Sequence, residues 1–367
     1  EAIPNLSPRP ILAPSFPKVD RQIAPVGAFL VQRKTKGAIA TGTETSMAPN
    51  GFKGKKWAKV LAASFAVFGA FAALFGTGNM MQANQMALAF NSEFGIPKVI
   101  TGITITLLVS LVIIGGIKRI GKVAEKLVPT MVLIYFAFGF AVIFSNIADV
   151  PRVFLLIFQE AFSPTAAVGG FMGATVKSAI QMGFRRGLLT NEAGLGSAPI
   201  AHAAAQTPSP IHQGLIGVGE VFIDTIVVCT ITALINLSSG MWQSGLDGTA
   251  MTAASFSNTV PIVGGLVVAV SSFLFGYSTL LGWYYYGEQC MKYLFGIKIT
   301  YPYRMIYVVL VFIGSLISIE LVFYIGDIAN AFMAFPNLIA LALLSGTVAS
   351  LTRNFFKKYK RLEDFDE

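Results

Sequence analysis

Uncharged apolar stretches follow one another from residue 57 to residue 352, and their spacing predicts eight helices that cross a bilayer. A crossing needs roughly 20 predominantly apolar residues. The stretches run Trp57 to Phe90, Val99 to Ile117, Leu127 to Ile147, Ser178 to Ala205, Gly214 to Ser239, Pro261 to Gly287, Met305 to Gly326 and Ile328 to Leu351. Between the third and the fourth, Val153 to Thr175 is apolar but broken by Glu160, Pro164, Gly169 and Gly170, and reads as an interfacial or re-entrant helical piece. The fold class expected is an all-α polytopic membrane protein.

The flanks have a different character. Residues 1–56 carry seven of the 17 prolines together with many Ser, Thr and Lys, too little apolar surface to offset the entropy of ordering, and read as disordered. The apolar run from Ala24 to Val31 is too short to span, no signal-peptide order is present, and the chain does not open on Met. The organisation expected is a Pro-rich segment over 1–56, a transmembrane domain over 57–352 and a charged tail over 353–367.

Charge then gives the chain a direction. Only 12% of residues are charged, against about twice that in a water-soluble domain. The net charge of +9 is gathered in short runs rather than on one polar face, which argues against nucleic acid as a partner. Lys53, Lys55, Lys56 and Lys59 precede the first span, and Lys118, Arg119, Lys122 and Lys126 follow the second. Lys292, Lys298 and Arg304 follow the sixth, and Arg353, Lys357, Lys358, Lys360 and Arg361 follow the eighth. Eight crossings put all four clusters on one side and leave chiefly Lys98 and Arg152 on the other, so the start of the first span and the C-terminal tail are expected in the cytoplasm.

Two cysteines, Cys229 and Cys290, and two histidines, His202 and His212, give no disulfide framework and no zinc pattern, and no cofactor is expected. Neither a phosphate-binding GxxxxGK[ST] loop nor HExxH occurs, and His202 has no acid or nucleophile beside it in sequence; an enzyme is not expected.

The informative residues are polar ones at membrane depth. Gly76, Thr77, Gly78, Asn79, Gln82, Asn84 and Gln85 fall within ten residues, with Asn79, Gln82 and Gln85 near one stripe. They read as the lining of an internal path, or as hydrogen-bond ties between helices. In the fourth span Gly194, Gly196 and Pro199 predict an interrupted helix whose freed N–H groups favour a carboxylate and whose freed carbonyls favour a cation; a close-packing GxG is the alternative. Glu192 with Arg185 or Arg186 reads as an ion pair or gate. Asp224, one turn beyond Glu220, is a deeper carboxylate, and Ser278 with Thr279 offers two hydroxyls to a hard cation. Trp283 and Tyr284 to Tyr286 read as an aromatic belt at the interface, and Glu320 and Asp327 remain unassigned.

The run from Gly187 through Thr190, Asn191, Glu192, Gly194, Gly196 and Pro199 to Ala205 resembles the signature of the alanine or glycine:cation symporter family. Further matches lie at Gly78 to Asn84, Gly115 to Lys126, Ser163 to Phe171, Ser278 to Trp283 and Phe335 to Leu341, so the resemblance covers about residues 51 to 352. It implies sodium-coupled symport of alanine or glycine across a bacterial inner (plasma) membrane, on two inverted five-helix repeats of the LeuT-like kind. The first span is similar to core helix three, the fourth to the broken core helix six and the sixth to core helix eight. Thr190, Asn191, Gly194 and Gly196 then inherit substrate contacts, faced by Asn79 and Gln82, while Thr190, Ser278 and Thr279 inherit sodium contacts. The family's leading helix and first two core helices are expected before residue 51, where the Pro-rich segment does not resemble them. The resemblance thus implies either a symporter or an inactive, N-terminally truncated portion of one.

Overall fold

The computed structural model describes residues 56–162, 170–192, 194–204, 210–246, 248–261 and 263–358. Among them every regular element is helical. The segments 1–55 and 359–367, which hold nearly all of the expected disordered and tail regions, lie outside the described residues, as does 163–169 of the expected interfacial piece.

Helix α1 (Lys56–Phe75) is apolar along its length and stops at the Gly76-Thr77-Gly78 run. After a four-residue interruption α2 (Met80–Phe94) continues, ending at Gly95 with φ +65° and the helix-excluding Pro97. Next come α3 (Lys98–Ile113), α4 (Gly116–Ser145) and α5 (Val150–Phe162). Helix α6 (Gly170–Asn191) is separated from the single turn of α7 (Ala198–His202) by the second interruption. Helices α8 (Pro210–Val221) and α9 (Cys229–Ser238) are joined by a π-helical turn, Phe222–Val228. Then follow α10 (Gly248–Thr259), α11 (Gly264–Phe295), α12 (Thr300–Leu316) and α13 (Ile319–Lys358).

Among the described residues six helical stretches are long and apolar enough to cross a membrane: Trp57–Phe94, Gly116–Ser145, Ile211–Ser238, Gly264–Phe295, Ile297–Leu316 and Ile319–Lys357. Eight were expected. The second expected span is the 16-residue α3, about 24 Å long at 1.5 Å per residue and short of a typical hydrocarbon core. The fourth is broken into α6 and α7 by the residues that forecast the break. The last two are both present, but their boundary lies at Ile317 and not near Asp327, because Ile317 is extended (ψ 170°). The Asn84 amide of α2 caps that end, donating to Gly314 and Ile317 carbonyls at 3.0 and 2.8 Å. The 13-residue α5 is too short to span.

Helix α11 is the hub, packed against α1, α2, α4 and α10, while α12 covers α2 and α3 and α13 lies along α1. Lipid tails are as apolar as leucine, so these contacts rest on close packing and hydrogen bonds rather than on expulsion of water. Small residues allow the approach: a Cβ on Gly314 would meet Met80 Cα at 2.5 Å. The fully buried Tyr307 makes a polar tie, its hydroxyl 2.8 Å from both the Gly78 and Leu280 carbonyls while its own carbonyl accepts the Asn79 amide at 3.0 Å. Tyr307→Phe strands the Gly78 carbonyl and is expected to lower stability by about 1 to 3 kcal/mol, measured as the shift of thermal unfolding in detergent.

Candidate functional site

The two interruptions, residues 76–79 and 192–197, come together on α11 and α13. Trp283 of α11 is buried, lies so close to Gly78 that any Cβ there would overlap its ring, and shares an apolar cluster with Leu195 and Ile200 at the second interruption. Its burial corrects the aromatic-belt reading of this residue. Phe65 of α1, Leu195, Ile200, Trp283, Ala329 and Met333 form one apolar cluster around the second interruption.

The backbone of that interruption is unusual for its residue types. Glu192, Gly194 and Gly196 have φ of +52°, +81° and +85°. Glycine adopts this region without strain, whereas a residue with a Cβ pays for it. Glu192 spans the gap with both of its acceptors: its carbonyl receives the Leu195 N–H at 3.1 Å and its carboxylate receives the Ser197 hydroxyl at 2.6 Å. Gly196 sits where a Cβ would meet Phe65 at 2.6 Å and the Asn337 amide at 2.8 Å.

Asn191 reaches the π-helical turn that carries Asp224, its amide donating to Thr225 Oγ1 at 3.1 Å. Single π turns are frequent at functional sites. Beside them His202 bridges Glu220 (3.2 Å) and Gln213 (2.8 Å), a set satisfied when Nε2–H donates to the carboxylate and Nδ1 accepts from the amide.

The first interruption is tied differently. Gln82 folds back to the Thr77 carbonyl at 3.2 Å, and Asn79 and Asn84 donate to the α12 backbone. Asn79 and Asn84 thus act as ties between helices, and their amide oxygens are buried without a hydrogen-bond partner. Gln85 accepts from Thr249 at 2.8 Å.

Other expected residues lie apart from the interruptions. Thr190 and Arg185 are exposed. Ser278 and Thr279 both donate to the Phe275 carbonyl of their own helix, at 2.8 and 2.9 Å, and Ser278 faces Met131 of α4. Thr279 lies one turn before Trp283, on the face toward the interruptions. The charged partner of Arg186 is Asp327, 3.2 Å away, and not Glu192; its guanidinium also stacks 4.4 Å from the Phe323 ring centre. Asp327→Asn removes that charge and is expected to cost about 1 to 2 kcal/mol, between an exposed and a buried pair. Thermal unfolding of Asp327→Asn, Arg186→Gln and the double variant measures it, with the double variant more stable than the sum of the singles.

Asn330 and Asn337 of α13 were not foreseen as site residues. Asn330 donates to Thr77 Oγ1 at 2.7 Å and Asn337 to the Gly194 carbonyl at 3.0 Å. The only signal was the Phe335-Pro336-Asn337 run in the family resemblance, which carried no role.

Chemically, the region presents neutral oxygens beside one carboxylate. The Oδ1 atoms of Asn79, Asn330 and Asn337 are buried and unpartnered among the described residues, and a buried acceptor left unpaired is costly. A hard cation or an ammonium group supplies what such oxygens need. Among the described residues no three His, Cys, Asp or Glu side chains gather as metal ligands.

The model of the sodium:alanine symporter family matches residues 28–366. A sodium/alanine symporter of Methanococcus maripaludis is 46% identical over 301 residues, covering 81% of this chain and 65% of that protein. A sodium/proton-dependent alanine carrier protein of Bacillus sp. strain PS3 is 31% identical over 361 residues, 92% of this chain and 76% of its own length. A probable sodium/glutamine symporter of Bacillus subtilis is 38% identical over 288 residues, 78% and 59% respectively. The chain thus spans roughly two thirds of the length of such relatives, all of them transporters rather than enzymes. With six helices fit to cross a bilayer, this multi-pass membrane protein belongs to the sodium:alanine symporter family.

Proposed function

We propose that the chain moves alanine or glycine across the bacterial inner (plasma) membrane together with sodium, on a LeuT-like inverted-repeat fold with eight crossings and both ends of the membrane domain in the cytoplasm. The observation that carries this reading is the meeting of two helix interruptions around Trp283, which lies on Gly78 of the first and clusters with Leu195 and Ile200 at the second, with unpartnered amide oxygens at both. Interrupted helices are how transporters place backbone N–H and C=O groups at membrane depth without stranding them in lipid. Thr190, Asn191, Gly194 and Gly196, with Asn79 and Gln82, bind the amino acid in this reading. Thr190, Ser278 and Thr279 contribute to sodium; the hydroxyls of Ser278 and Thr279 donate to their own helix and keep lone pairs for a cation. Arg185, Arg186, Glu192 and Asp224 belong to gating, with Arg186 acting through Asp327.

Equilibrium binding of labelled L-alanine to the purified chain in detergent, with sodium or with choline, tests the site. Binding that requires sodium and is displaced by glycine supports it; sodium-independent binding removes the coupling. The second reading is a chain that inserts but binds nothing alone, favoured by the matched relatives being longer than the region they share with it. Absence of binding here, restored by fusing the remaining helices of a relative, supports that reading.

A further inference from the structure

Helix α13 touches both interruptions with one face. Gly326 and Ala329 pack on Gly76, Asn330 holds Thr77, and Asn337 with Leu338 packs on Gly194. Asn330 and Asn337 are seven residues apart, two turns on the same side of α13, which stays helical through Pro336, or about 10 Å along its axis. Each spends its N–H on one interruption: Asn330 on a hydroxyl of the first, Asn337 on a carbonyl of the second. The Asn337 amide also lies against Gly196, where a Cβ would meet it at 2.8 Å. An unwound segment has no ladder of its own to fix its geometry, so its position is set by such outside donors. Beside the Tyr307 hydroxyl of α12 on Gly78, each segment here has an outside donor that stands on α13.

We infer that Asn330 and Asn337 are paired positioning residues that set the spacing of the two interruptions through α13, so that ordering or loosening one is transmitted to the other. The inference rests on the symport reading for its purpose, because coupled transport needs occupancy at one place to be felt at another. Its physical content is a reciprocal link between the interruptions and is measured without transport.

The test is hydrogen exchange of the whole chain in nanodiscs, followed in peptides covering residues 72–83 and 190–200. Asn330→Ala, Asn337→Ala and Thr77→Val are compared with the unaltered chain. Thr77→Val cuts the first tie from its far end and leaves α13 untouched, which guards against a variant of α13 that fails to fold. The expected result is at least fivefold faster exchange in both peptides for each single change, including the second peptide in Thr77→Val, and no further rise in Asn330→Ala/Asn337→Ala beyond the larger single effect. Faster exchange confined to the interruption that lost its tie, or no change, overturns the inference. Sodium-driven alanine uptake by the unaltered chain is run beside it. Uptake with only local exchange effects sinks the paired role and keeps the symporter; reciprocal exchange without uptake does the reverse.

Discussion

Gly196→Val is expected to reduce sodium-dependent alanine binding by about 100-fold or more while leaving membrane insertion intact. Two independent terms act on the same residue. The left-handed φ of +85° costs a β-branched side chain about 1 to 3 kcal/mol. The new carbons would also overlap Phe65 and Asn337, and overpacking costs about 1 to 3 kcal/mol more. A segment held by a few hydrogen bonds relieves that load by moving, and about 2.8 kcal/mol of displaced geometry is already a factor of 100 in affinity. Gly187→Ala is the control: it lies in the same family run, in the regular part of α6, with no neighbour near the added Cβ. Its binding is expected to stay within twofold.

Glu192→Gly is expected to lower sodium-dependent alanine binding at least tenfold, although glycine suits the backbone there better. At φ +52° the substitution relieves local strain, which by itself favours the interruption. It also removes the carboxylate that receives the Ser197 hydroxyl at 2.6 Å and so ties the two edges of the gap together. Leaving the buried Ser197 hydroxyl without its acceptor costs about 1 to 3 kcal/mol, and with the cross-link of the gap lost as well this outweighs the roughly 1 to 2 kcal/mol of left-handed strain released. Glu192→Gln keeps an acceptor oxygen and is expected to fall between the two. Equal binding in all three chains would assign Glu192 a purely backbone role.

What was legible in the sequence divides along the range of the forces involved. The all-helical membrane character, six of the apolar spans and the break at Gly194, Gly196 and Pro199 were readable because length, composition and backbone freedom act locally. The polar run at Gly76 to Gln85 was recognised as functional or adhesive, and the structure has Asn79 and Asn84 tying helices while Thr77 faces Asn330. The end of α12 at Ile317 left no trace in hydropathy, since its cap is the Asn84 amide, 233 residues away in sequence. The pairing of Arg186 with Asp327 and not Glu192 was equally hidden: the partners are 141 residues apart, while Glu192 turns to Ser197 through a left-handed backbone. Asn337 lay in a run matched by the family resemblance and Asn330 did not, and what both hold depends on two breaks far from them in the chain.

Coupling of an amino acid to sodium is the property that would make this chain a symporter. Uptake of labelled L-alanine into proteoliposomes containing only this chain measures that directly, with an inward sodium gradient, with equal sodium on both sides, and with choline in its place. Accumulation above the external concentration under the gradient, collapse to equilibration at equal sodium, and no uptake in choline is the result expected. Uptake indifferent to sodium, or none at all from correctly inserted protein, would contradict it.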